Sequence, residues 1–140
     1  MASAETLFAS PGRELAHASR PTASLSAEKF AALLSDPAKA PSWSKWIKKI
    51  DHVLGDVYLA QTPEGTFRLA WWWRPGERKL LLRFKYGYYS AEAAYQLVGE
   101  GPQARLEGSF PYPPPHWGDP QKDIDGRLSA ELDAIAKAAG

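Results

Sequence analysis

The chain has 140 residues, a hydrophobic fraction of 44%, a charged fraction of 24% and a formal net charge of +1, values ordinary for one globular domain with a single core. It contains no cysteine, which excludes a disulfide framework, a thiolate zinc site and a cysteine nucleophile and suits a cytoplasmic protein. No stretch reaches the roughly 20 apolar residues of a membrane helix, so no membrane association is expected.

The small net charge conceals an asymmetry. Residues 42–90 hold nine Lys/Arg against four Asp/Glu, whereas residues 91–140 hold four against eight. Twelve of the seventeen aromatic residues fall between Trp43 and Tyr95, which places either a compact centre or a ligand surface there.

Residues 1–24 are rich in Ala and Ser, contain Pro11 and Pro21 and lack sustained periodicity. They are expected to form a flexible N-terminal arm ahead of a single domain over residues 25–140. Arg13 and Arg20 give this start a faint transit-peptide character, against which Glu5 and Glu14 argue.

Ser26 is placed to cap a short helix running to Leu34 and closed by Asp36-Pro37. Ser42 is placed to cap a second helix, because Trp43, Trp46, Ile47 and Ile50 recur at i, i+3, i+4 and i+7. That helix would leave Lys45, Lys48 and Lys49 outside. Val53 to Gln61 reads as the first strand, followed by a turn at Thr62-Pro63-Glu64-Gly65.

Thr66 to Tyr89 reads as two facing strands about the turn Arg74-Pro75-Gly76-Glu77. In that register Phe67 faces Phe84, Leu69 faces Leu82 and Trp71 faces Leu80 on one side. The other side sets Arg68 opposite Arg83 and Trp72 opposite Lys79, with Arg74 and Lys85 nearby and Tyr58 beside Ala70. Period-2 alternation supports this division, since a one-residue slip would mix the two faces.

Ser90 to Val98 is ambiguous between helix and strand. A turn at Gly99-Glu100-Gly101-Pro102 precedes a strand from Arg105 to Tyr112, with Leu106 and Phe110 on one face. Asp119 and Pro120 suit the start of a last helix whose apolar stripe is Ile124, Leu128, Leu132 and Ile135. The expected architecture is α+β: an antiparallel meander of three to five strands, two N-terminal helices and a C-terminal helix packed on one face.

Two arginines directly opposite one another repel, and an anion lying over them would relieve that repulsion. The sequence therefore points first to non-catalytic binding of single-stranded DNA or RNA on a basic, aromatic sheet face. Arg68, Arg74, Lys79, Arg83 and Lys85 would hold phosphates, supplemented by Lys45, Lys48 and Lys49, while Tyr58 and Trp72 would stack on bases. The near-neutral net charge argues against this. A helix covering the face, with the bases at its rim, is the structural alternative.

The same residues suit an acidic protein partner, as for an accessory subunit, inhibitor or immunity-type protein. A third possibility is a small-ligand pocket or an isomerase- or cyclase-like enzyme, which an α+β domain of this size can hold.

Other motifs carry less. Pro111 to Pro115 favours polyproline II, either as a recognition segment or as a rigid connection. Asp123-Ile-Asp125-Gly126 resembles the centre of a calcium loop, but the bidentate carboxylate of its twelfth position is missing. His17, His52 and His116 are far apart in sequence, and no nucleotide fingerprint or nucleophile elbow is present. No catalytic residue, metal or cofactor is assigned from sequence.

Overall fold

The computed structural model describes residues 15–22, 25–86, 89–112 and 121–140. Its alternating segments form one antiparallel sheet: β1 (Leu15–Pro21), β2 (Lys49–Leu54), β3 (Val57–Thr62), β4 (Gly65–Arg74), β5 (Lys79–Tyr86), β6 (Tyr89–Val98) and β7 (Arg105–Pro111). The strand order is β1-β7-β6-β5-β4-β3-β2. Strands β2 to β7 are thus a continuous meander, and β1 closes onto β7 at the far edge. Between β1 and β2 lie α1 (Ala27–Leu34) and a 3-10 turn (Pro37–Lys39) that runs into α2 (Ala40–Trp43). The last element, α3 (Gln121–Ala139), packs on β1, β7, α1 and α2.

The architecture is therefore a single α+β domain with one antiparallel sheet, as expected, but with seven described strands rather than three to five. The two short helices also follow β1 instead of preceding the sheet. Leu15–Pro21, expected within a flexible arm, is an edge strand paired residue by residue from Leu15 opposite Pro111 to Pro21 opposite Arg105. Its buried Ala16 faces the core and the half-buried Ala18 packs against it, two small side chains that give only a weak period-2 signal. Residues 1–14 lie outside the described residues.

Ser26 caps α1 as expected, its hydroxyl accepting the Lys29 amide at 3.3 Å. The helix expected over Trp43 to Ile50 does not form. The Ser44 hydroxyl accepts the amides of Trp46 (3.1 Å) and Ile47 (2.9 Å), and this local turn competes with helix continuation. The Lys48 amide then bonds the Gln61 carbonyl at 2.7 Å and leads into β2. Trp43, Trp46 and Ile47 are buried all the same. Gly55, in the left-handed region at φ +55°, turns β2 back into β3 and divides the stretch expected as one strand.

The two central registers also differ from expectation. Between β3 and β4, Ala60 lies opposite Phe67 and Tyr58 opposite Leu69, one residue from the expected pairing, because Thr62 and Gly65 close a two-residue loop. A one-residue slip exchanges faces, so Tyr58 packs towards the helices and Leu59 is exposed. Between β4 and β5, Trp71 lies opposite Leu82 and Trp73 opposite Leu80, a slip of two residues that preserves the faces. A wider turn causes it: a 3-10 turn over Pro75–Glu77 followed by Arg78 in the left-handed conformation at φ 49°. Arg68 is consequently not opposite Arg83, which faces Ala70. Ser90 to Val98 resolves as strand β6.

All three helices lie on the sheet face that carries Phe67, Leu69, Trp71, Leu80, Leu82, Phe84, Tyr95, Leu106 and Phe110. Trp46 is the hub, with ring centroids 5.1 Å from Phe67, 4.9 Å from Phe84 and 5.0 Å from Phe110. From α3, Ile124, Leu128, Leu132 and Ile135 are buried as their spacing predicts. Gly108 lets α3 approach β7: a Cβ there would stand 3.0 Å from Leu132 Cδ2 and 3.1 Å from Leu128 Cδ1. Replacing Gly108 with valine is expected to destabilise the fold by about 1–3 kcal/mol through overpacking, read from urea denaturation. Unchanged stability would show that α3 does not press on β7 at this point.

Candidate functional site

Among the described residues the buried polar or charged ones are Thr22, Ser44 and Glu131, and the last two belong to one cluster. On α3, Arg127 and Glu131 occupy successive turns. Glu131 is 0% exposed. Its Oε1 accepts the Tyr95 hydroxyl of β6 at 2.7 Å, and its Oε2 accepts the Ser44 hydroxyl at 3.0 Å and the Lys45 amide at 2.9 Å. One carboxyl group thus joins the C-terminal helix, a central strand and the turn after α2. Burial pushes its pKa up, while the hydrogen bond from Tyr95, the Lys45 amide, the Arg127 charge and the Ser44 hydroxyl pull it back. The Tyr95 hydroxyl is also raised, by burial first and by the adjacent Glu131 second.

One turn earlier on α3, the Arg127 guanidinium lies 4.6 Å from the Phe110 ring centroid and 5.9 Å from that of Trp46, in the range of cation–π attraction. Its Nη1 is 3.6 Å from Glu64 Oε1, which is too long for a good hydrogen bond. That same carboxylate oxygen accepts the Trp46 indole N–H at 2.7 Å. Arg127 Nη2 is buried and has no hydrogen-bond partner among the described residues. The indole Nε1 of Trp43 is also buried and unpartnered, and its ring packs edge-on to Tyr95 at 4.9 Å. Among the described residues, two buried N–H donors thus lack acceptors, one beside the Tyr95 ring and the other beside Phe110 and Trp46.

Nearly every residue singled out from sequence lies elsewhere. Arg68, Arg83 and Lys85 are exposed on the opposite, open face of the sheet, with Trp72 and Lys79 half-buried beside them. The described helices pack on the other side, so no described helix covers this face. The Arg83 charge is already engaged: its Nη2 pairs with Glu92 at 3.0 Å, and its guanidinium lies 4.9 Å over the Trp72 ring. Arg74 pairs with Glu77 at 3.4 Å. Tyr58 points to the helix side, 6.3 Å from Trp71 and 5.0 Å from His52 between ring centroids. Lys45 and Lys48 are exposed in the loop before β2, and Lys49 is exposed on that edge strand.

Asp125, of the calcium-loop resemblance, accepts the Tyr112 hydroxyl at 2.8 Å. Among the described residues no group of His, Asp and Glu could hold a metal ion. His17 is exposed on β1, and His52 contacts the Gly55 carbonyl at 2.9 Å. His116 and most of the proline-rich segment fall outside the described residues. No described helix is long and apolar enough to cross a membrane.

No protein-family model matches the sequence. A search of curated proteins returns no match. The fold, by contrast, has clear counterparts. The Zhui aromatase/cyclase from Streptomyces sp. R1128 superposes with a TM-score of 0.68 at 13% identity, covering 90% of this chain and 93% of the other. The Aha1 dimer from Colwellia psychrerythraea gives 0.66 at 14% identity, with 90% and 96% covered. A START superfamily protein from Mycobacterium smegmatis gives 0.60 at 19% identity, with 89% and 92% covered.

These likenesses and the observed register overturn the nucleic-acid reading. The arginine pair on which it rested does not form, Tyr58 faces the other way, and the fold is shared with aromatase/cyclase and START superfamily proteins.

Proposed function

We propose that the protein binds a small, largely apolar molecule between α3 and the helix-facing side of the sheet. The observation that carries this reading is the pair of buried, unpartnered donors, Trp43 Nε1 and Arg127 Nη2, set among aromatic rings. Buried polar groups are almost always hydrogen-bonded, and leaving one unpaired costs about 1–3 kcal/mol, more for a charged group. An oxygen-bearing aromatic guest would satisfy the donors and stack against the rings. The START superfamily and aromatase/cyclase counterparts support the reading at the level of fold. Entry is proposed at the Arg127 end of α3, where Gly126 weakens the helix by about 1 kcal/mol relative to alanine.

Tryptophan emission tests the proposal, since Trp43 and Trp46 line the region. A saturable change is expected on titrating a panel of naphthyl and anthracyl carbonyl compounds. Linear, non-saturating quenching with every compound would reject the reading.

A second reading, an aromatase/cyclase-like enzyme, draws on the Tyr95–Glu131 contact. There a hydroxyl donates to a buried carboxyl group whose pKa is raised, a pair able to move a proton beside a bound carbonyl. Cyclised product from a short poly-β-keto thioester, lost in Tyr95→Phe while ligand binding persists, is the result that reading expects.

A further inference from the structure

We infer that the bound molecule carries an anionic oxygen, that of an aromatic carboxylic acid, and that Arg127 is the residue that selects it. The inference rests on the small-ligand reading above and adds the chemical class of the ligand.

Arg127 is only 16% exposed over its side chain, and a buried guanidinium needs compensation for lost hydration. It receives little. Its one ion pair among the described residues, with Glu64, is long at 3.6 Å, and the Glu64 oxygen involved also accepts the Trp46 indole N–H at 2.7 Å. Glu131 feels the Arg127 charge, but Tyr95, Ser44 and the Lys45 amide already occupy its two oxygens. The second terminal guanidinium nitrogen, Nη2, is left buried with no acceptor among the described residues.

A guanidinium presents its N–H groups as a planar fork that a carboxylate matches with two parallel bonds. A neutral carbonyl would satisfy one N–H but leave the charge undercompensated. The flanking surfaces select what is attached to the carboxylate. The Phe110 ring lies under the guanidinium and Trp46 beside it, so the groups next to the anion are flat and aromatic. Offset or edge-on ring packing against them adds about 0.5–1.5 kcal/mol per pair beyond area burial. Glu64 is then the resident counterion with which an incoming carboxylate competes.

The test is isothermal titration of the full chain with 2-naphthoate and with 2-naphthamide, which match in shape and differ in charge. The wild-type protein is expected to bind the acid at least ten times more tightly than the amide, also in 0.5 M NaCl, because a buried pair is screened little. Arg127→Met keeps an unbranched apolar stem and removes the charge. It should abolish the acid-over-amide preference. Arg127→Lys should retain part of the preference, and Glu64→Gln should strengthen acid binding several-fold.

Equal binding of the two probes to the wild-type protein, unchanged in Arg127→Met, would overturn the inference and leave the small-ligand reading standing. Failure of both probes to bind any variant, together with unsaturable tryptophan quenching, would remove both. A collapsed circular-dichroism spectrum in Arg127→Met transfers the decision to Arg127→Lys and Glu64→Gln, for which an unaltered acid-to-amide ratio rejects the inference.

Discussion

Replacing Glu131 with alanine is expected to cost about 3–5 kcal/mol of stability, the range for removing one partner from a buried charged cluster. The substitution leaves the Tyr95 hydroxyl, the Ser44 hydroxyl and the Lys45 amide without their acceptor in a place water does not reach. With native domains holding only about 5–15 kcal/mol in total, little margin would remain. Tyr95→Phe is the matched control. It removes one donor, keeps the ring against Trp43, and should cost about 1–2 kcal/mol. Equal effects from the two variants would mean that Glu131 serves Tyr95 alone and does not tie α3 to the turn at Ser44.

The same carboxyl group sets a pH dependence with a definite sign. Its pKa is raised in the folded protein, so the folded state holds the proton over a window in which the unfolded state has released it. Stability from this group is fully present below the ordinary carboxylate value and declines as pH rises through the raised folded value. Glu131→Gln removes the titrating group. The wild-type melting temperature should therefore fall across that window relative to the Gln variant, and parallel profiles would show that Glu131 does not titrate in the fold.

Glu131 was also legible in the chain. At about 100° per residue, position 131 falls about 20° from Ile124 and about 40° from Ile135, at the edge of the stripe that buries α3. A carboxylate bordering a buried apolar stripe within about 20° of Ile124 is a candidate for a paired interior charge, and Arg127 sits one turn away on the same side. The stripe itself, the cap at Ser26, the strand at Arg105–Pro111 and the division of β4 into two faces follow directly from period and cap chemistry.

What did not follow depended on turns and on distant partners. The slip between β3 and β4 hinged on whether Gly65 belonged to the loop or the strand, and the slip between β4 and β5 on Arg78 taking a left-handed conformation. Glycine adopts that region readily, whereas arginine pays for it in strain. Such an exception is invisible to turn statistics. The arginine-facing-arginine argument fell with the second slip, because a shift of two residues keeps faces and changes partners. The helix over Trp43 to Ile50 failed for a different reason. Its apolar spacing was real, but the Ser44 hydroxyl diverted the backbone while the core still took up Trp43, Trp46 and Ile47. Finally, β1 finds its place only by pairing with β7 across most of the chain, a contact local patterning cannot reveal.

The tryptophans separate the two faces of the sheet experimentally. Trp46→Ala should cost about 3–5 kcal/mol, since it removes a ring that touches Phe67, Phe84 and Phe110 and strips Glu64 of its indole donor. Trp72→Ala should cost under about 1 kcal/mol, because that ring is half-buried on the open face and its main partner, Arg83, keeps Glu92. Comparable losses from the two, measured by urea unfolding, would mean that the open face is covered and the layer order wrong. The contrast extends to ligand binding. If the guest lies between α3 and the sheet, its fluorescence signal must survive Trp72→Phe and change in Trp46→Phe, which keeps an aromatic wall but loses the bond to Glu64. A signal that vanished with Trp72 would put the ligand on the open face, where Arg127 could not reach it.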